Sequence, residues 1–166
     1  MKFFVALALV IFVTVPSVAT AADPPQEVLE TLVGTWAVKG TASERELVGE
    51  MSAKWGDEKS CVVSSYSFKL GGETYKAHHL TGLDASTDSI NSLGFFSHGV
   101  MEELNYKKAS AGVFKGSYGI VFEGEKYKGD LTVTVTKNSF KFETKNVKGP
   151  AGIRPDLSVT LTRVKD

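Results

Sequence analysis

Between residues 47 and 72 the chain reads Leu47-Val48-Gly49-Glu50-Met51-Ser52-Ala53-Lys54-Trp55, then Gly56-Asp57-Glu58-Lys59, then Val62-Val63-Ser64-Ser65-Tyr66-Ser67-Phe68-Lys69-Leu70 and Gly71-Gly72. Leu47, Met51, Ala53 and Trp55 alternate with Glu46, Glu50, Ser52 and Lys54; Val62, Tyr66, Phe68 and Leu70 alternate with Cys61, Ser65, Ser67 and Lys69. Successive side chains of a strand point to opposite faces, so period two means two half-buried strands. The Gly-Asp and Gly-Gly breaks suit hairpin turns.

The same rhythm runs outward in both directions. Upstream, Gln26 to Val33 reads as a short helix with Val28, Leu29, Leu32 and Val33 on one face and Asp23 placed to cap it. Thr35 to Ala42 follows as a strand. Downstream, Tyr75, Ala77, His79 and Leu83 share a face before the turn at Asp84 to Asp88. Ser89 to Phe96 and Val100 to Lys107 flank Ser97-His98-Gly99. Phe114, Tyr118, Ile120 and Phe122 precede Gly124, and Tyr127, Leu131, Val133 and Val135 precede Lys137-Asn138. Phe140 and Phe142 open a further strand, and Leu157, Val159, Leu161 and Arg163 mark the last. Sequential hairpins with one apolar face must bury that face and remove their free edges. A closed cylinder does both. The expected fold is all-β: a single antiparallel up-and-down barrel of about ten strands, with the N-terminal helix closing one end.

Composition agrees with one ordinary globular domain: 166 residues, 42% hydrophobic and 23% charged. Nineteen basic residues against nineteen acidic ones leave no surplus for phosphate backbones, so no nucleic-acid partner is expected. A single cysteine, Cys61, excludes an internal disulfide and reads as an inert, partly covered side chain. Residues 1–21 read as a signal peptide: Lys2 supplies the charge, Phe3 to Val15 the apolar run, and Ala19-Thr20-Ala21 the cleavage pattern. Thirteen apolar positions fall short of the roughly 20 of a spanning helix. The expected product is therefore an exported, periplasmic or extracellular domain over 22–166, monomeric and without a membrane anchor. No internal repeat with a period of 20 to 50 residues is found.

Gly34-Thr35-Trp36, at the junction of helix and first strand, resembles the first-strand motif of lipocalin and calycin barrels. In those barrels the tryptophan closes one end beneath a basic side chain from the last strand, which implies a structural pair of Trp36 with Arg163. A narrower likeness covers nearly the whole mature chain. Leu32-Val33-Gly34-Thr35-Trp36, Gly82-Leu83-Asp84, Phe95-Phe96-Ser97-His98-Gly99 and Thr162-Arg163-Val164 are similar to a family of exported bacterial lipocalin-like domains of unknown function. Phe95 stands where tryptophan is commoner in that family.

All five tyrosines fall on inward faces, together with His79, Ser64 and Thr81. A buried hydroxyl without a partner costs about 1–3 kcal/mol, so a sealed core would favour phenylalanine. Tyr66, Tyr75, His79, Tyr106, Tyr118 and Tyr127 are thus the candidate ligand-binding residues of an internal cavity. Glu102 also falls inward, but Glu103 adjoins it and a slip of one residue would turn it outward.

No metal or other cofactor is expected. His78 and His79 point to opposite faces and cannot share an ion, and His98 lies in a separate turn. The absence of histidine from residues 140–166 argues against haem, because haem-binding relatives of such barrels take their ligand there. Asp84 to Asp88 lacks the glycine and distal glutamate of a calcium loop. No nucleophile elbow, phosphate loop or dinucleotide fingerprint occurs, so no catalytic residue is assigned. The leading reading is a binder of a small, partly apolar molecule. The alternatives are an interaction module or inhibitor acting through loops such as Lys148 to Asp156, and an enzyme using the barrel cavity.

Overall fold

The computed structural model describes residues 25–164. The expected signal peptide (1–21) and the capping role of Asp23 lie outside them. The helix α1 spans Pro25–Leu32, and the strands are β1 (Gly34–Ala42), β2 (Arg45–Trp55), β3 (Val62–Leu70), β4 (Glu73–Asp84), β5 (Ser89–Phe96), β6 (Val100–Ser110), β7 (Val113–Phe122), β8 (Glu125–Thr136), β9 (Ser139–Gly149), β10 (Gly152–Ile153) and β11 (Leu157–Arg163). Each strand from β1 to β9 pairs antiparallel with its successor in the meander up to β8–β9. Closure follows through β9–β11 and β11–β1. The result is a closed antiparallel barrel of ten strands with the two-residue β10 as an extra, as the alternation predicts.

Closure is fixed at one end by four groups. Trp36 is fully buried, and its Nε1 donates to the Leu32 carbonyl at 2.9 Å. The Arg163 guanidinium lies 4.2 Å from the centre of the Trp36 rings and donates to the carbonyls of Val33 (3.0 Å) and Thr31. Thr31 and Leu32 offer last-turn carbonyls of α1, which have no partner within the helix and carry the negative end of its dipole, and Val33 follows directly. The cation and the indole therefore satisfy the helix end and plug the barrel together. Gly34 is required by the same arrangement: its φ is +138°, and a Cβ there would overlap the Arg163 guanidinium. Val28, Leu29 and Leu32 turn the apolar face of α1 onto this plug, and Phe140 meets Trp36 edge-on at 5.4 Å.

Curvature comes from glycines at inward-register positions. A Cβ at Gly40, Gly49 or Gly116 would run into the neighbouring strand's main chain, at Ser158, Ser67 and Asn105 respectively. Only a residue without a side chain bends this tightly, and such corners let a sheet close.

Two expected boundaries shift. The helix stops at Leu32 because Val33 and Gly34 already lead into β1. The expected loop from Lys148 to Asp156 is partly strand: β9 continues to Gly149 and pairs with β10. A bulge permits this. Asn146 adopts φ +56°, the register shifts opposite Lys128–Asp130, and the Arg154 amide donates to Val147 at 2.8 Å.

The substitution Gly116→Ala is expected to lower stability by about 1–3 kcal/mol, since the added methyl has only main chain to displace. Gly119→Ala, whose nearest neighbours would lie at 3.6 Å, is expected to change it by no more than about 0.5 kcal/mol. Equal urea midpoints for the two variants would contradict this account of the corners.

Candidate functional site: a polar cluster in the barrel wall

The barrel encloses a cavity of about 350 Å³. Its lower boundary includes Leu32 of α1, and its walls are apolar over most of their area: Val38, Leu47, Phe68, Leu104, Ile120, Leu131, Phe142 and Leu161. The other end is bordered by the hairpin residues Ser43 and Arg45, by Leu70 and Tyr75, by Phe122, and by Arg154 and Pro155 of the segment between β10 and β11. Arg154 is held there by ring faces, its guanidinium lying 4.6 Å from the Phe122 centroid and 4.2 Å from that of Tyr127.

One part of the wall is polar. The register sets Ser64 (β3), His79 (β4), Gly94 (β5) and Glu102 (β6) side by side in one row across four strands. Gly94 is the gap in that row: a Cβ there would overlap the His79 ring. Through this gap His79 Nε2 comes within 3.6 Å of Glu102 Oε2. Its Nδ1 is 3.3 Å from Ser92 Oγ, which lies 2.8 Å from Thr81 Oγ1. Tyr118, from β7, hydrogen-bonds Glu102 on its other side. The Tyr66 ring packs on His79 with centroids 4.9 Å apart. Ser64 Oγ is buried and has no hydrogen-bond partner.

Burial governs the charges. Loss of water pushes the Glu102 carboxyl up to about 7, with the Tyr118 hydrogen bond acting the other way. The same loss holds His79 down at about 4, helped by His78 on the opposite face. The tyrosine hydroxyls at 66, 106 and 118 are all raised by burial. Near neutrality His79 is thus uncharged and Glu102 is poised between its two forms. Among the described residues no lysine or arginine is ion-paired with Glu102.

Of the six residues singled out from the sequence, Tyr66, His79 and Tyr118 gather in this cluster, and Tyr75 sits at the rim. Tyr75 stacks on Phe68 at 5.5 Å and donates to Glu73 at 2.8 Å. Tyr127 is buried beneath Arg154 and donates to Glu125 at 2.7 Å. Tyr106 packs edge-on against Phe114 at 6.1 Å and is not among the cavity-lining residues. Two of the five hydroxyls therefore find a carboxylate two residues back along their own strand. Glu102 turns inward, resolving the ambiguity left by Glu103. Ser92 and Gly94 went unread.

A sequence signal for part of this exists. Ser65-Tyr66, Gly72-Glu73 and Tyr75-Lys76 recur as Ser117-Tyr118, Gly124-Glu125 and Tyr127-Lys128, at a spacing of 52 residues. That spacing lies just past the 20–50 window. The two segments form the β3–β4 and β7–β8 hairpins, and each delivers one inward tyrosine to the cluster.

No protein-family model matches the chain, and no curated protein matches its sequence. Among solved structures, a de novo designed fluorescence-activating β-barrel is similar, with a TM-score of 0.50 and 12% identity over 82% of this chain and 97% of that one. A redesigned β-barrel bound to DFHBI has a TM-score of 0.49 at 12% identity, over 80% and 99% of the respective chains. At 12% identity the likeness to the designed barrel with the TM-score of 0.50 is one of fold.

The inverted charges have a measurable consequence. In the unfolded chain between about pH 4.5 and 6.5, Glu102 is ionised and His79 protonated; in the folded chain the proton is on Glu102. Both states hold one proton, so the pair adds no slope to stability against pH. In Glu102→Gln only His79 remains, the native state binds fewer protons than the unfolded one, and stability should rise with pH across this window relative to the parent. In His79→Gln the native state binds more, and stability should fall. Each slope approaches about 1.4 kcal/mol per pH unit. Chemical denaturation at several pH values measures them, and variants that both run parallel to the parent would contradict the assignment.

Proposed function

We propose that this protein is an exported binder of a small, partly apolar molecule held inside the barrel, and that it is related to the lipocalin and calycin barrels. The observation that carries the reading is the cavity itself: about 350 Å³, apolar around most of its wall, with one converging group of polar side chains. Concave apolar sites with a few placed polar groups are the general form of small-molecule sites, and this volume lies near the lower end of their range. The polar side chains that line the cavity, among them His79, Thr81, Ser92, Glu102 and Tyr118, support it, because they offer a bound molecule hydrogen-bonding partners on one side of an otherwise apolar wall. The stacking of Arg163 on Trp36, held by Gly34, supports the proposed kinship. Export rests on the reading of residues 1–21 as a signal peptide, with 22–166 as the working domain.

Binding of the neutral fluorophore N-phenyl-1-naphthylamine tests the reading. One molecule per chain should bind with enhanced emission. Leu104→Trp and, from another strand, Val159→Phe should each reduce that binding at least tenfold by filling the cavity, with the strand circular dichroism kept. No enhancement up to the solubility limit of the dye would contradict it.

A further inference from the structure

Resting on the small-molecule reading above, we propose that the ligand carries a positively charged nitrogen, a primary or secondary alkylammonium on a short apolar body, and that Glu102 receives it. Glu102 lines the cavity without a paired cation: it is buried beside an uncharged imidazole and a tyrosine hydroxyl, and although Arg45 and Arg154 border the open end, no lysine or arginine among the described residues is ion-paired with it. A cation entering this wall completes a charge pair at a carboxyl already removed from water by folding. A ligand carboxylate would instead place a second acid against the first.

The surroundings suit an ammonium group. The His79 ring beside the acid packs against Tyr66 at 4.9 Å and Phe96 at 5.5 Å, and Phe96 meets Phe68 at 6.2 Å, so a run of aromatic rings leads away from the acid along the cavity wall. Ring faces attract cations, more strongly where water is excluded. The cations at the rim, Arg45 and Arg154, border the open end, and Arg154 is already engaged by Phe122 and Tyr127. A volume of about 350 Å³ admits a short arylalkyl amine and leaves little room for a long acyl chain.

Binding is also a proton exchange. When Glu102 is protonated, the incoming alkylammonium releases that proton to solvent and leaves a carboxylate–ammonium pair; when it is already ionised, none is released. The titratable and charged groups facing Glu102 are His79 on β4, Tyr66 on β3, Tyr118 on β7 and Tyr106 on its own strand, with Arg154 at the rim. His79 titrates below the range and the tyrosines above it. Amine affinity should therefore follow the ionisation of Glu102.

The test uses displacement of N-phenyl-1-naphthylamine by 3-phenylpropylamine, 3-phenylpropan-1-ol and 3-phenylpropanoate, three probes of one skeleton. At pH 8 the amine should bind at least tenfold more tightly than the alcohol, and the carboxylate most weakly. From pH 8 to 6 the amine should weaken about tenfold while the alcohol is unchanged. Glu102→Gln should abolish the amine's advantage and retain alcohol binding, which also shows that the variant folds. An alcohol or carboxylate that matches the amine, or an amine preference that survives Glu102→Gln, overturns the proposal and leaves the cavity reading standing. Failure of the fluorophore and of all three probes to bind overturns both.

Discussion

Everything inside this molecule depends on the continuity of one hydrogen-bonded ladder around ten strands. The ladder closes where β11 lies between β9 and β1, in a register that sets Trp36 opposite Arg163. With the edges gone, a single inward face is shared by strands far apart in sequence, and its deeper side chains, His79 and Glu102 among them, are buried. The plug of α1, Trp36 and Arg163 stops one end, so the opposite rim is the natural approach to the cavity. Glycines at the corners, Gly40, Gly49 and Gly116, are the condition for that closure, and a further one, Gly34, makes room for the cation that locks it.

A largely apolar enclosure with a few buried polar side chains in its wall redistributes charge. An ordinary Glu–His pair in water carries opposite charges near pH 6. Here burial penalises both charges, and the proton resides on the acid while the imidazole is neutral. At 3.6 Å the neutral pair avoids the cost of removing two charges from water, which the hydrogen bonds from Tyr118 and to Ser92 only partly offset. The cluster also spans five consecutive strands, from Ser64 on β3 to Tyr118 on β7. It is therefore assembled by the ladder's register and by no local segment.

Much of the architecture was legible because alternation and turn residues are local signals. Ser89–Phe96 and Leu157–Arg163 fall where the pattern put them. The Trp36–Arg163 plug could be anticipated from a three-residue motif and a basic residue on the last strand. What escaped reading has physical causes. Alternation says which face a tyrosine takes, but not how near the rim it lies, and so Tyr75 and Tyr127 turn their hydroxyls to Glu73 and Glu125. Gly94 carries no side chain and so leaves no trace in a hydrophobic pattern, although it is the gap through which His79 nears Glu102. The bulge at Asn146 extends β9 into a segment whose prolines and glycines read as loop.

The account turns on Glu102 standing inside a closed, water-poor wall. Carbon-13 NMR of the Glu102 side-chain carboxyl, titrated from pH 3 to 9 in the folded protein, measures this most directly. A midpoint near 7 is the predicted result. A midpoint near 4.5, the value of a solvated glutamate, would mean that the carboxyl meets bulk water and that the barrel does not enclose the site described.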